Sequence, residues 1–176
     1  MFTVDTHCDT LYMRACQPEM TPCVTPEHLR EGNVTVQVCT LWAGPKDPLE
    51  DPYSKVMREW AMLPQLTEAG IRLIDKPSDA KDGEHCVLLS MEGGETLGKS
   101  LELLHDFRKR GVRLLALTWN YENEIGYPAA LNADRRLKPF GWEVVREMEK
   151  LGIAADVSHL NEGGFWDLIE NAEKPP

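Results

Sequence analysis

Cys86-Val87-Leu88-Leu89-Ser90-Met91-Glu92-Gly93-Gly94-Glu95 decides the fold. Residues 86–91 are apolar on both faces of an extended chain, as a strand covered from two sides must be. Such strands belong to parallel sheets with helices packed outside them. Glu92 stands at the carboxyl end of this strand. The glycines behind it let the backbone turn tightly and keep the carboxylate close to whatever neighbouring strands present.

The same alternation continues downstream. Leu97, Leu101, Leu104 and Phe107 mark a helix closed by Gly111, and residues 112–118 (VRLLALT) form another buried strand. A polar loop over 120–138 precedes a helix opened by Pro139 and closed by Gly152, with Phe140, Val144, Met148 and Leu151 on its buried side. Residues 153–157 (IAADV) are the next strand, ending in Ser158-His159, and Asn161 caps a final helix with Phe165, Leu168 and Ile169.

Upstream, residues 71–74 read as a short accessory strand. Asp51-Pro52 opens a helix with Val56, Trp60 and Leu63 on one face, and Pro64 kinks or ends it. Residues 44–48 break the chain. Before them, 33–42 (NVTVQVCTLW) is a strand rich in β-branched residues, and the stretch from Asp9 to Arg30 reads as a long loop with one helical turn at 26–30. At the start, 3–10 (TVDTHCDT) reads as a short strand whose alternation puts His7 and Asp9 on one side and Cys8 on the other.

Five main strands thus end near residues 7, 41, 91, 118 and 158. The expected class is α/β, a partial TIM-type (β/α) barrel with about five of eight parallel strands and outer helices, in a single domain over 1–176. The chemistry-bearing residues fall at the carboxyl ends of the strands, where such folds build their sites. His7, Asp9, Glu92 and His159 are donors suited to a divalent metal of the zinc type, and Glu92 is the best placed to bridge two ions. Each has a plainer reading when taken singly. His7 and Asp9 could be a polar strand end or a helix cap, Glu92 and Glu95 N-terminal helix charges, and His159 a structural histidine. No metal role is expected for His28, His85 or His105, and Trp42, Trp60, Trp142 and Trp166 are read as packing residues.

The chain has 176 residues and a formal net charge of −10, which argues against nucleic acid and anionic membranes as partners. Five cysteines at irregular spacing, without a C-x-x-C pair, indicate neither a disulfide framework nor a zinc knuckle, and they read as small apolar fillers. Reduced thiols, no recognisable signal peptide and no apolar run of about 20 residues lead to the expectation of a soluble, cytoplasmic protein.

Five motifs taken together, Asp5-Thr6-His7-Cys8-Asp9, Met91-Glu92-Gly93-Gly94, residues 111–118 (GVRLLALT), Phe140-Gly141, and Leu151-Gly152-Ile153 through Asp156-Val157-Ser158-His159, resemble in order and spacing the renal (membrane) dipeptidase family, the M19 group of zinc peptidases. The resemblance implies a β/α-barrel dipeptidase that holds two Zn2+ per complete site: His7 and Asp9 on one ion, Glu92 bridging, His159 on the second. It also implies a dipeptide substrate and a homo-oligomer, specifically a homodimer. Where the family usually has a histidine after the threonine of the fourth strand, this chain has Trp119, so Asn120, Tyr121 and Asn123 become the candidate donors to the reacting carbonyl. Arg136 stands where a glycine is often found.

The family's remaining zinc histidine, carboxylate-binding arginine and acid/base aspartate would follow residue 176. The expectation is therefore a truncated member with one zinc or none, low or absent turnover, and exposed sheet edges that drive association. Two other readings stand beside it: a degenerate non-catalytic barrel fragment with a residual metal site, and another metal-dependent amidohydrolase. Asp9 favours the dipeptidase over the latter, which carries His-x-His on its first strand.

Overall fold

The computed structural model describes residues 2–44, 50–131 and 134–176, so most of the expected break at 44–48 lies outside the described residues. The chain divides into two compact units, Met1–Ser90 and Met91–Pro176.

In the first unit, β1 (Val4–Asp5) pairs parallel with β2 (Val36–Trp42) in the register Val4↔Val36 and Asp5↔Gln37. Next to β2 comes β4 (Cys86–Glu92), anchored where the Cys86 N–H donates to Thr35 O at 2.8 Å. The expected accessory strand is β3 (Arg72–Leu73), parallel to β4. β2 is almost wholly buried, because α1 (Thr10–Cys16) and α3 (Pro52–Trp60) both pack on it.

The helix α1 is a correction to the long loop expected after Asp9. Leu11, Met13, Arg14 and Ala15 are good helix formers, and Leu11 is fully buried, so the segment gains both local propensity and burial. The turn expected at 26–30 is α2 (Pro26–Glu31), capped by Thr25. Asp51 caps α3 by accepting the Ser54 N–H, and Pro64 sits in the first turn of a separate helix, α4 (Leu63–Glu68), where proline is tolerated.

The second unit opens with the last two residues of β4, which lie beside β5 (Val112–Ala116), and β5 pairs parallel with β6 (Ala154–Asp156) in the register Leu114↔Ala154. Its core is made by Leu104 and Phe107 of α5 (Leu101–Lys109) with Val144, Val145 and Met148 of α6 (Pro139–Leu151), all buried. The helix expected from Leu97 starts later. Gly98, at φ +53°, ends a 3-10 turn over Gly94–Leu97, and Ser100 then caps α5. Gly152 closes α6 in the left-handed conformation, and Asn161 caps α7 (Glu162–Asn171) by accepting the Gly164 N–H at 3.1 Å. Trp166 departs from its packing role, being 46% exposed on α7.

Candidate metal centre

Each unit carries an imidazole–carboxylate pair at the carboxyl end of its strands. In the first, the chain stays beside β2 after β1 ends, with the Thr40 N–H donating to Cys8 O at 2.9 Å. Asp5 Oδ1 accepts the His7 N–H and turns the backbone. Cys8 is buried, whereas the His7 and Asp9 side chains face outward, with His7 Nε2 3.4 Å from Asp9 Oδ1. Asp9 occupies the N-cap position of α1, yet its side chain makes no capping hydrogen bond, which leaves the carboxylate to His7. His7 Nδ1 lies 3.3 Å from Thr40 Oγ1, itself 2.8 Å from Ser90 Oγ, so buried hydroxyls of β2 and β4 hold the ring.

In the second unit, Glu92 ends β4 with its side chain mostly covered. Gly93 at φ +91° then turns the chain, and the Gly93 and Gly94 N–H groups donate to Ala116 O and Leu117 O. A β-carbon on Gly94 would meet Ile125 Cδ1 at 2.2 Å and Leu117 O at 2.9 Å, so this approach requires glycine. After β6, Asp156 Oδ1 accepts the Ser158 N–H and His159 takes a left-handed backbone, φ +63°. That conformation is uncommon for a residue with a side chain and is held here by two bonds to its carbonyl, from the Ala129 N–H and the Thr118 hydroxyl. His159 Nε2 lies 3.0 Å from Glu92 Oε1, and its Nδ1 lies 3.2 Å from Asn120 Oδ1.

The two pairs share one arrangement: Nε2 toward a carboxylate oxygen, Nδ1 toward a side-chain oxygen. A cation placed between His159 Nε2 and Glu92 Oε1, 3.0 Å apart, would meet a ligand atom on each side. Ligand atoms about 2.0–2.1 Å from one zinc-type ion lie roughly 3–3.4 Å from each other, the separations seen within both pairs. Imidazole nitrogens held by a second polar partner are the usual form of such ligands, and the donor chemistry fits a borderline divalent ion.

The remaining candidates sit nearby in the second unit with other partners. Asn120 is turned to His159. Tyr121, 37% exposed, stands edge-on to Trp119 with ring centroids 5.4 Å apart. Asn123 organises its own loop: its amide donates to Leu117 O, and its Oδ1 accepts from the Ile125 and Gly126 N–H groups. The other histidines are engaged elsewhere, His28 with Cys23 O, His85 with Val34 O and His105 with Glu147.

Sequence reasoning passed over Thr40 and Ser90. Their signal is a hydroxyl two residues before the end of a largely apolar strand. It also passed over Glu59, fully buried on α3, whose Oε2 accepts the Trp42 N–H at 2.7 Å and whose carboxyl burial pushes up to about 9.

Similar architecture occurs in solved structures. A metallopeptidase from Rhodobacter sphaeroides, liganded with a phosphinate mimic of the dipeptide L-Ala-D-Ala, superposes with a TM-score of 0.83 over 99% of this chain and 63% of that one, at 20% identity. The probable dipeptidase PvdM from Pseudomonas aeruginosa gives 0.85 over 99% of this chain and 51% of that one, at 16% identity. At these identities the likeness shows the fold alone, and that fold is α/β of the partial TIM-type barrel kind. Among curated proteins, an uncharacterized dipeptidase of Schizosaccharomyces pombe is 28% identical over 168 residues, which is 84% of this chain and 40% of that protein. An uncharacterized protein of Klebsiella pneumoniae is 26% identical over 138 residues, 71% of this chain and 51% of that protein. The chain therefore spans about half or less of the curated relatives it matches. The family description "membrane dipeptidase (peptidase family M19)" matches residues 1–176 from end to end, and the chain belongs to that family.

Proposed function

We propose that this chain carries the N-terminal ligand set of a zinc-dependent dipeptidase: His7 and Asp9 for one Zn2+, Glu92 as the bridging carboxylate, and His159 for a second. The observation that carries this reading is the repeated wiring of the two histidines, each with Nε2 toward a carboxylate and Nδ1 held by a side-chain oxygen. Membership of the dipeptidase family supports the reaction class. A divalent ion on such donors supplies a water of lowered pKa and polarises the scissile carbonyl.

The residues contribute orientation. Thr40 and Ser90 fix the His7 ring, and Asn120 fixes the His159 ring, so each Nε2 is held facing its carboxylate. Asn120 thereby serves as a positioning residue, and Tyr121, 37% exposed, is a candidate donor to a dipeptide carbonyl. The dipeptide is the proposed substrate, and a homo-oligomer the proposed assembly. No helix among the described residues is long and apolar enough to cross a membrane.

Calorimetric titration of the chelator-treated chain with zinc tests the reading. Saturable binding at micromolar concentration or tighter, weakened by His7→Ala and by His159→Ala, is the expected result, together with hydrolysis of a dipeptide panel that depends on added zinc in any form of the protein that turns over. Zinc binding unaffected by either substitution would overturn it.

A further inference from the structure

Cys8 and Cys39 face each other inside the first unit. Their sulfurs are 3.5 Å apart, and the residues are 4% and 2% exposed. The two thiols sit on adjoining backbone segments, because the Thr40 N–H donates to Cys8 O at 2.9 Å. Bond formation needs the sulfurs to close by about 1.5 Å, from 3.5 Å to the roughly 2.05 Å of a disulfide. Of the other cysteines, Cys16 is half-buried, Cys23 exposed and Cys86 buried.

We propose that Cys8 and Cys39 form a reversible oxidation site, at which a peroxide converts the dithiol into a disulfide. One sulfur attacks a peroxide oxygen, the O–O bond breaks, and the first water leaves a sulfenic acid. The second sulfur attacks that sulfur, the S–S bond forms as the S–O bond breaks, and a second water departs. The thiol protons end in the waters, and the two electrons lost by the sulfurs reduce the peroxide. Entry is local, since β1 ends at Asp5 and residues 6–9, which include Cys8, lie outside regular secondary structure, with Thr6 and His7 exposed just before it.

The new bond would staple the segment that carries His7 and Asp9 to β2. Resting on the zinc reading above, this displacement lowers zinc affinity by about 10-fold or more, as disturbed ligand orientation does. Oxidation would thus act as a switch on the metal pair.

The test treats the metal-free, full-length chain with hydrogen peroxide, alkylates the remaining thiols and digests with trypsin without reduction. Tryptic peptides 1–14 and 31–46 contain only Cys8 and Cys39, respectively, so a linked species of these two is diagnostic. The expected result is that species, lost on adding dithiothreitol and absent from Cys39→Ser. Separate recovery of both peptides, alkylated or carried on to sulfinic acid, would overturn the proposal. Zinc titration of the oxidised and reduced chains forms the second arm. Weaker binding after oxidation, restored by dithiothreitol, supports the switch, and linkage with unchanged affinity refutes the switch. If the reduced chain binds no zinc while the link still forms, the metal reading fails and the oxidation site stands.

Discussion

Two largely covered glutamates, one in each unit, are treated in opposite ways. Glu59 is fully covered, its Oε2 takes the Trp42 N–H, and its Oε1 has no hydrogen-bond partner among the described residues. Desolvation dominates there, and the group is a neutral acid at pH 7. Glu92, nearly as well covered, faces an imidazole nitrogen at 3.0 Å on a backbone bent by glycine. The first unit therefore hides an acid from its metal-type pair and leaves His7 and Asp9 half exposed, whereas the second builds its pair around the buried carboxylate. Burial alone makes a carboxyl inert. A facing imidazole nitrogen gives a covered carboxyl a polar partner.

The contrast is broken most severely through pH. The carboxyl of Glu59 is raised in the folded chain from 4.5 to about 9, so its contribution to stability is complete below about pH 4.5 and disappears as pH rises through about 9. Denaturation across this range should show stability falling by several kcal/mol, and Glu59→Gln should flatten that decline. A wild-type profile as flat as the variant's would mean that Glu59 is not an isolated neutral acid.

The glycine support of the second unit comes next. A β-carbon at Gly141 would lie 2.3 Å from the backbone oxygen of Ile125, which cannot swing aside as a side chain does. Gly141→Ala should cost about 1–3 kcal/mol in chemical denaturation. A smaller loss would show that the loop after β5 yields more freely than its packing implies.

The hydroxyl support of the first pair is milder. Thr40→Val removes the partner of His7 Nδ1 and should weaken zinc binding about 10-fold in the same titration, with little change in fold. Unchanged affinity would leave the His7 ring to be held by other contacts. Smallest of all, His105→Ala deletes an exposed contact with Glu147 and should shift stability by less than about 1 kcal/mol in thermal unfolding.

Much of this was legible in the sequence because strands buried on two faces leave little choice: 86–91 and 112–118 had to be interior, and their carboxyl ends had to collect the polar groups. The caps at Asp51 and Asn161 and the left-handed Gly152 were legible for the same local reasons. Helix α1 was not, because its proline- and threonine-rich sequel reads as loop and its stability comes from packing on β2. The supporting groups of the pairs were also hidden. Thr40 and Ser90 are single hydroxyls in apolar strands, and Asn120 points to His159 across 39 positions, a contact made only by tertiary structure. Glu59 looked like any polar helix residue until α3 was laid on β2.

Glu92→Gln is the most direct single test, since the amide keeps the shape of the buried side chain and removes its charge. Zinc titration of this variant against wild type should show affinity falling by at least about 100-fold, the loss expected if Glu92 is itself a ligand rather than a supporting contact. Equal affinity of the two proteins would contradict a metal centre built on Glu92.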